Sequence, residues 1–133
     1  MTVKRAAVNP WPWSLELGYN QGEVVSGHTR TLFCSGQTAM RGDGKPEHAG
    51  DMAAQLALSL DNLEATLGGG GMSLADLVRL NVYTTDVDLL FQHYGVLAAR
   101  LGAAGVAPAT TMLGVTRLAI PVLMVELEGT AVA

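Results

Sequence analysis

The sequence of 133 residues contains a single cysteine, so no intrachain disulfide framework can hold it together. Its three histidines, His28, His48 and His93, are dispersed, and no Cys/His cluster has the spacing of a zinc site. The longest apolar run, Leu118 to Val125 with Pro121 inside it, falls far short of the roughly 20 residues that span a bilayer. Basic residues are few: 8 Lys+Arg stand against 12 Asp+Glu, a formal net charge of −4, with no basic stripe to track a nucleic-acid backbone. Lys4 and Arg5 are not followed by the apolar stretch of an export signal, which predicts a soluble cytoplasmic protein. Charge of either sign is also scarce. Charged residues make up 15% of the chain, where about a quarter is usual. A small domain has a large surface to cover, so this shortage predicts that part of the surface is covered by other copies of the chain.

What is present divides into loops, helices and strands of one domain, residues 1–133. Thr38 to Gly50, Gly68 to Gly71 and Gly102 to Pro108 are rich in Gly or Pro and read as loops. Between the first two, Met52, Leu56, Leu60, Leu63 and Leu67 recur at helical spacing behind Asp51, a capping residue. A second helix is predicted over Val87 to Leu101, with Leu90, Tyr94, Leu97 and Leu101 on one face, Asp86 or Asp88 as cap and Gly102 past its end. Leu77 to Thr85 alternates as a strand, with Val78, Leu80 and Val82 inward. Glu23 to Ser35 contains Gly27-His28, a hairpin turn signal, and Thr110 to Leu118 and Leu123 to Val132 are two further strands. The order ββ-α-β-α-ββ predicts an α+β fold with both helices on one face of a sheet. In the last strand Leu123, Val125 and Leu127 share one face; Met124, Glu126, Glu128, Thr130 and Val132 share the other, and Met112 is expected beside them.

Several residue types here can carry chemistry. Glu126 and Glu128 are the acidic pair of an otherwise apolar strand. On a buried face desolvation would raise a carboxylate pKa toward the range useful for proton transfer; on an edge strand the same pair would guard against aggregation. Ser35-Gly36-Gln37 leaves a strand and enters a glycine-containing loop, either an ordinary strand exit or a place where a hydroxyl and free N–H groups meet an anion. Cys34 alternates to the opposite side and reads as a buried, inert thiol. Trp11 and Trp13 flank Pro12 and can pin the N-terminus to the body. Gly68 to Gly71 lacks the Lys-Ser/Thr that follows a phosphate loop.

Gly18-Tyr19-Asn20-Gln21, Phe33-Cys34-Ser35-Gly36-Gln37, Gln55 with Asn62-Leu63, Leu77-Val78-Arg79-Leu80 with Thr85-Asp86, Pro108-Ala109 and Val125-Glu126-Leu127-Glu128 follow one another in an order that resembles the Rid (YjgF, reactive intermediate deaminase) family. The resemblance extends from about Leu17 to Ala133. It implies a chorismate-mutase-like α+β fold, a homotrimer with small-molecule clefts between subunits, and hydrolysis of enamines and imines such as 2-aminoacrylate without metal or cofactor. Carried over by position, it implies Glu126 as the catalytic acid/base, with Tyr19 and Ser35 lining the cleft. Three positions depart, among them Asn20, which stands where the family has the Ser of Tyr-Ser-Gln. Deaminating members carry Arg directly after Pro-Ala to clamp a substrate carboxylate; here Thr110 stands there, offering a hydroxyl and an N–H but no charge. Tyr94 aligns roughly with a cleft-lining Asn of those members.

Three functions are therefore weighed: hydrolysis or tautomerisation of a less anionic enamine or imine, with substrate contacts from Tyr19, Ser35 and Thr110; a non-catalytic trimer that binds a small metabolite; and RNA cleavage, against which the net charge speaks. The expectation is poor activity on 2-aminoacrylate. If a cation did replace the missing Arg, Arg117 would be the first candidate, although seven residues of strand from Thr110 point it to the opposite face.

Overall fold

The computed structural model describes residues 2–133. Its elements are β1 (Lys4–Val8), a 3-10 helix (Pro12–Leu17), β2 (Gly22–Ser26), β3 (Thr31–Phe33), α1 (Met52–Gly69), a 3-10 turn (Leu74–Asp76), β4 (Leu77–Thr84), α2 (Val87–Gln92), α3 (Tyr94–Ala103), β5 (Ala109–Gly114) and β6 (Val125–Val132). The four-stranded sheet runs β3-β6-β4-β5 and is mixed: β4 and β5 are parallel, while β6 is antiparallel to both its neighbours. The parallel pair needs a long crossover, and α2 with α3 supplies it.

α1 forms where its leucines predict. Asp51 caps it by accepting a hydrogen bond from the Ala54 N–H at 3.0 Å. Leu56, Leu60, Leu63 and Leu67 are fully buried against the sheet, each worth about 1.5–3 kcal/mol of burial. Gly129 on β6 permits this approach, because a Cβ there would lie 2.8 Å from Leu77 Cδ2 and 3.3 Å from Leu63 Cδ1. Leu80, Val82, Val125, Leu127, Leu90, Leu97 and Leu101 complete one core, and Cys34 joins it as a buried thiol whose pKa burial raises.

The structure corrects several local expectations. β2 and β3 do not pair across Gly27-His28. β2 pairs instead with β1, in register from Lys4–Ser26 to Val8–Gly22, while β3 pairs with β6. β1 carries no alternating signal because all five of its residues are exposed. It is held by Arg5, which forms an ion pair with Glu23 at 2.7 Å and donates to the Leu77 carbonyl at 2.6 Å. The second helix is broken at His93, and Gly102 lies inside α3, which runs to Ala103. Asp86, not Asp88, caps its first part, accepting from the Leu89 N–H at 3.0 Å. In β4 a register shift between Leu77 and Arg79 turns Leu77 and Leu80 both inward and leaves Val78 only half-buried.

Two corrections bear on function. Leu80 pairs with Thr110 and Val82 with Met112, so Thr110 and Met112 lie on the helix-covered face and not beside the glutamates. The strand ends at Gly114, so Arg117 belongs to the following loop and the alternation argument does not reach it.

Candidate functional site

The open face of the sheet carries the carboxylates. Asn81 pairs with Glu128 and Tyr83 with Glu126 across β4 and β6, which sets their side chains together on the side away from α1. Glu128 is tied down: its Oε1 accepts from Asn81 Nδ2 at 2.9 Å and from the Tyr83 hydroxyl at 3.0 Å. That hydrogen bond to Glu128 is the main reason the Tyr83 phenol is pushed above its ordinary pKa. Glu126 has no such donors among the described side chains. Its carboxyl lies over Gly36, where any Cβ would overlap Oε1. Burial raises the Glu126 pKa above the usual carboxylate range, and the charge of Glu128 raises it further.

Gly36 arrives there because the chain after β3 keeps running beside β6. The Cys34 N–H donates to the Gly129 carbonyl at 2.8 Å, and Gln37 and Leu127 exchange hydrogen bonds at 2.7 and 2.9 Å. Ser35 thus stands one residue from the glycine that covers Glu126, with its own side chain exposed and its carbonyl accepting from Gln37 Nε2 at 3.1 Å. Opposite the carboxylates is Arg117. Its guanidinium donates to the Leu118 and Ala119 carbonyls, both at 3.1 Å. Arg117, Gly36, Tyr83, Glu126 and Glu128 line one open cavity of about 290 Å³. Sequence reasoning assigned Arg117 to the wrong element and passed over Asn81 and Tyr83, although the parity of β4 separates those two from Leu80 and Val82.

Tyr19 and Thr110 meet elsewhere. A cavity of about 190 Å³ is lined by Leu17, Tyr19, Phe91, Tyr94, Thr110 and Met112. Tyr19 is set in place by its neighbours: the Tyr19 N–H donates to the Ser14 carbonyl at 3.3 Å and the Asn20 N–H to the Ala107 carbonyl at 3.0 Å, just before β5. Trp13 packs edge-on against Tyr19, ring centroids 6.2 Å apart, so the Trp-Pro-Trp segment buttresses this wall. The Tyr94 hydroxyl donates to the Leu17 carbonyl at 2.6 Å, and Thr110 Oγ1 donates to the Pro108 carbonyl at 2.7 Å. Burial is the main cause holding the Tyr94 phenol above its ordinary pKa.

The predicted site residues therefore fall into two groups. Glu126 and the Ser35-Gly36 segment stand on the open face; Tyr19 and Thr110 stand with Tyr94 on the helix-covered face. One copy of the chain does not bring them together. Two further residues of the sequence pattern have a structural task. Gln55, fully buried, donates to the His48 and Val122 carbonyls at 3.1 and 3.0 Å and accepts from the Met124 N–H at 2.8 Å. Asn62 donates to the Thr38 and Met40 carbonyls, both at 2.8 Å. Together they fasten to α1 the loops leading away from Gly36 and into β6. Among the described residues no three His, Cys, Asp or Glu side chains converge to hold a metal ion, and no helix is long and apolar enough to cross a membrane.

Comparison with known proteins gives concordant results. Residues 14–133 match the family model described as Endoribonuclease L-PSP. The RutC family protein YjgH of Escherichia coli K12 is 36% identical over 88 residues, covering 66% of this chain and 66% of that protein. The crystal structure of YyfB, a Rid-family protein of unknown function from Yersinia pestis, superposes with a TM-score of 0.83 at 32% identity, covering 97% of this chain and 98% of that one. TdcF of E. coli, solved with bound serine, superposes with a TM-score of 0.70 at 28% identity, covering 86% of this chain and 87% of TdcF.

Proposed function

The chain belongs to the endoribonuclease L-PSP family, also called YjgF or Rid, and on that premise we propose that it is a homotrimer whose intersubunit clefts hydrolyse or tautomerise a small enamine or imine. The observation that carries this reading is Glu126: a carboxyl on a sheet face, covered by a glycine, free of side-chain donors and held at a raised pKa. A group so placed keeps its proton to higher pH than an ordinary carboxyl, which suits it to proton transfer. The carboxylate accepts a proton from water as the water oxygen bonds to the imine carbon. It returns that proton to the nitrogen to give the carbinolamine R₂C(OH)NH₂, then carries the hydroxyl proton to the nitrogen as the C=O bond forms and the carbon–nitrogen bond breaks. The balance is R₂C=NH plus water giving R₂C=O plus ammonia. Neither metal nor cofactor enters these steps.

A trimeric cleft accounts for the split arrangement. Tyr19 and Thr110 complete the site of Glu126 if they are presented by the adjacent subunit, with Ser35 at the seam. The exposed Phe33 and Leu113 and the low charge fraction support coverage of the surface by other copies. A second reading, a trimer that binds a small metabolite without turning it over, is supported by TdcF, a relative solved with bound serine. Net charge −4 argues against RNA as substrate despite the family's name.

The test follows oxo-acid or carbonyl formation from imines generated in situ. Glu126→Gln is expected to lose about 100-fold or more of the acceleration. On 2-aminoacrylate the wild type is expected to be poor, since the lost guanidinium contact is worth a few kcal/mol. Thr110→Arg, alone and with Tyr94→Asn, is expected to improve it. Absence of acceleration with every imine tried would favour the binding protein. Strong wild-type activity on 2-aminoacrylate would show that another cation, Arg117 first, serves the cleft.

A further inference from the structure

The cavity beside Tyr19 has a chemistry of its own. Its six lining residues, Leu17, Tyr19, Phe91, Tyr94, Thr110 and Met112, include no charged side chain. Two of its hydroxyls are already committed, Tyr94 to the Leu17 carbonyl and Thr110 to the Pro108 carbonyl. A carboxylate entering it would lose its water and meet no cation among these six residues, which is strongly unfavourable. Within one copy of the chain Arg79 and Arg117 are placed elsewhere. Arg79 donates to Thr111 on the open face, and Arg117 lines the cavity of the glutamates.

Aromatic rings gather where charge is missing. The chain has only two Trp, three Tyr and two Phe, yet Trp13, Tyr19, Phe91 and Tyr94 all stand at this one place. Trp13 is T-shaped on Tyr19, and Phe91 is tilted against Tyr94 with centroids 6.0 Å apart. Such walls offer ring edges and faces, and Met112 offers a polarizable sulfur, all of which favour a planar apolar guest. The volume, about 190 Å³, is of the size that admits one six-membered ring, since an apolar cavity of about 150 Å³ takes up benzene. Phe91 is 52% exposed at the rim, which gives a ring a way in.

The geometry points to this cavity as the seat for an uncharged aromatic ring of the ligand, so that the substrate class is a neutral aryl or arylalkyl imine. This rests on the cleft reading above for the position of Glu126 and deepens it by assigning the group on the other side of the reacting carbon.

Calorimetry with benzamide, benzoate and acetamide on the full-length protein separates ring from charge. Benzamide is expected to bind about tenfold or more tightly than either of the others. Phe91→Ala, at an exposed position that does not endanger folding, and Tyr94→Asn are expected to weaken benzamide about fivefold or more and leave acetamide unchanged. Thr110→Arg is expected to shift the preference toward benzoate. Benzamide binding no tighter than acetamide would overturn the inference. So would tightest binding of benzoate that Arg117→Ala abolishes.

A turnover assay keeps the two readings apart. An amine oxidase supplies the imine of 2-phenylethylamine, which hydrolyses to phenylacetaldehyde and ammonia. Ring-selective binding without acceleration would leave the aromatic seat standing and remove the hydrolase. Acceleration of a small aliphatic imine without ring selectivity would do the reverse. Glu126→Gln is expected to abolish turnover and to preserve benzamide binding.

Discussion

Glu126 and Glu128 are two residues apart on one strand and face the same way, yet their surroundings set them different tasks. Glu128 accepts two hydrogen bonds and stays fixed; Glu126 sits over Gly36 without a donor. The consequence for stability has a definite sign. A carboxyl whose folded pKa is raised binds protons more tightly in the native than in the unfolded chain. Its ionisation therefore erodes stability as pH rises from the ordinary Glu value, about 4.3, through the raised folded value. Glu126→Gln should raise Tm at neutral pH, and the gain should vanish below about pH 4; calorimetric melts across that range check this. The residue that the proposed reaction needs is thus one the fold would be more stable without. Glu128→Gln removes the neighbouring charge, so the Glu126 pKa is expected to fall and the acid limb of the activity profile to move to lower pH.

At the scale of elements, the close seating of α1 on the sheet depends on the missing side chain of Gly129. Gly129→Ala places a Cβ against Leu77 and Leu63, and overpacking of this kind is expected to cost about 1–3 kcal/mol in a denaturant titration. That seating was legible in the sequence: the leucine spacing of α1, its Asp51 cap and the alternation from Val125 to Ala131 appear as read, although β6 starts at Val125 and not Leu123, and Val132 is buried. β1 was not legible, because an exposed strand with no inward face leaves no alternating pattern. The Gly27-His28 turn signal was real, since Gly27 has a positive φ of 79°, but a turn does not say which strands it joins. The bulge in β4 and the break at His93 are likewise settled by packing rather than by local spacing. For the site, alternation put Glu126 on the face opposite Val125 and Leu127, where it stands, but the resemblance that named Tyr19 and Thr110 did not say which face each takes. The face of Thr110 is fixed by its pairing with Leu80, a contact between strands 30 positions apart in the chain. Arg117 was misplaced for the related reason that β5 stops early, at Gly114.

The whole molecule presents an open sheet face on which Phe33 is 78% and Leu113 51% exposed. Light scattering at micromolar concentration is expected to report roughly three chains, and Phe33→Glu to dissociate them; a stable monomer would remove the proposed cleft. Glu126 and Thr110 stand on opposite faces of one sheet, so in the proposed cleft each copy would carry both halves and could not use its own pair. Two inactive proteins should then rescue each other. Co-expressed Glu126→Gln and Tyr94→Asn/Thr110→Trp chains, each defective in a different half, would rebuild an unaltered cleft wherever the intact halves of the two kinds meet, about one boundary in four on random mixing. Inheritance would show the same arithmetic: two alleles, each null alone, would complement in a mixed cell, and a single null allele would spoil boundaries it shares with normal chains.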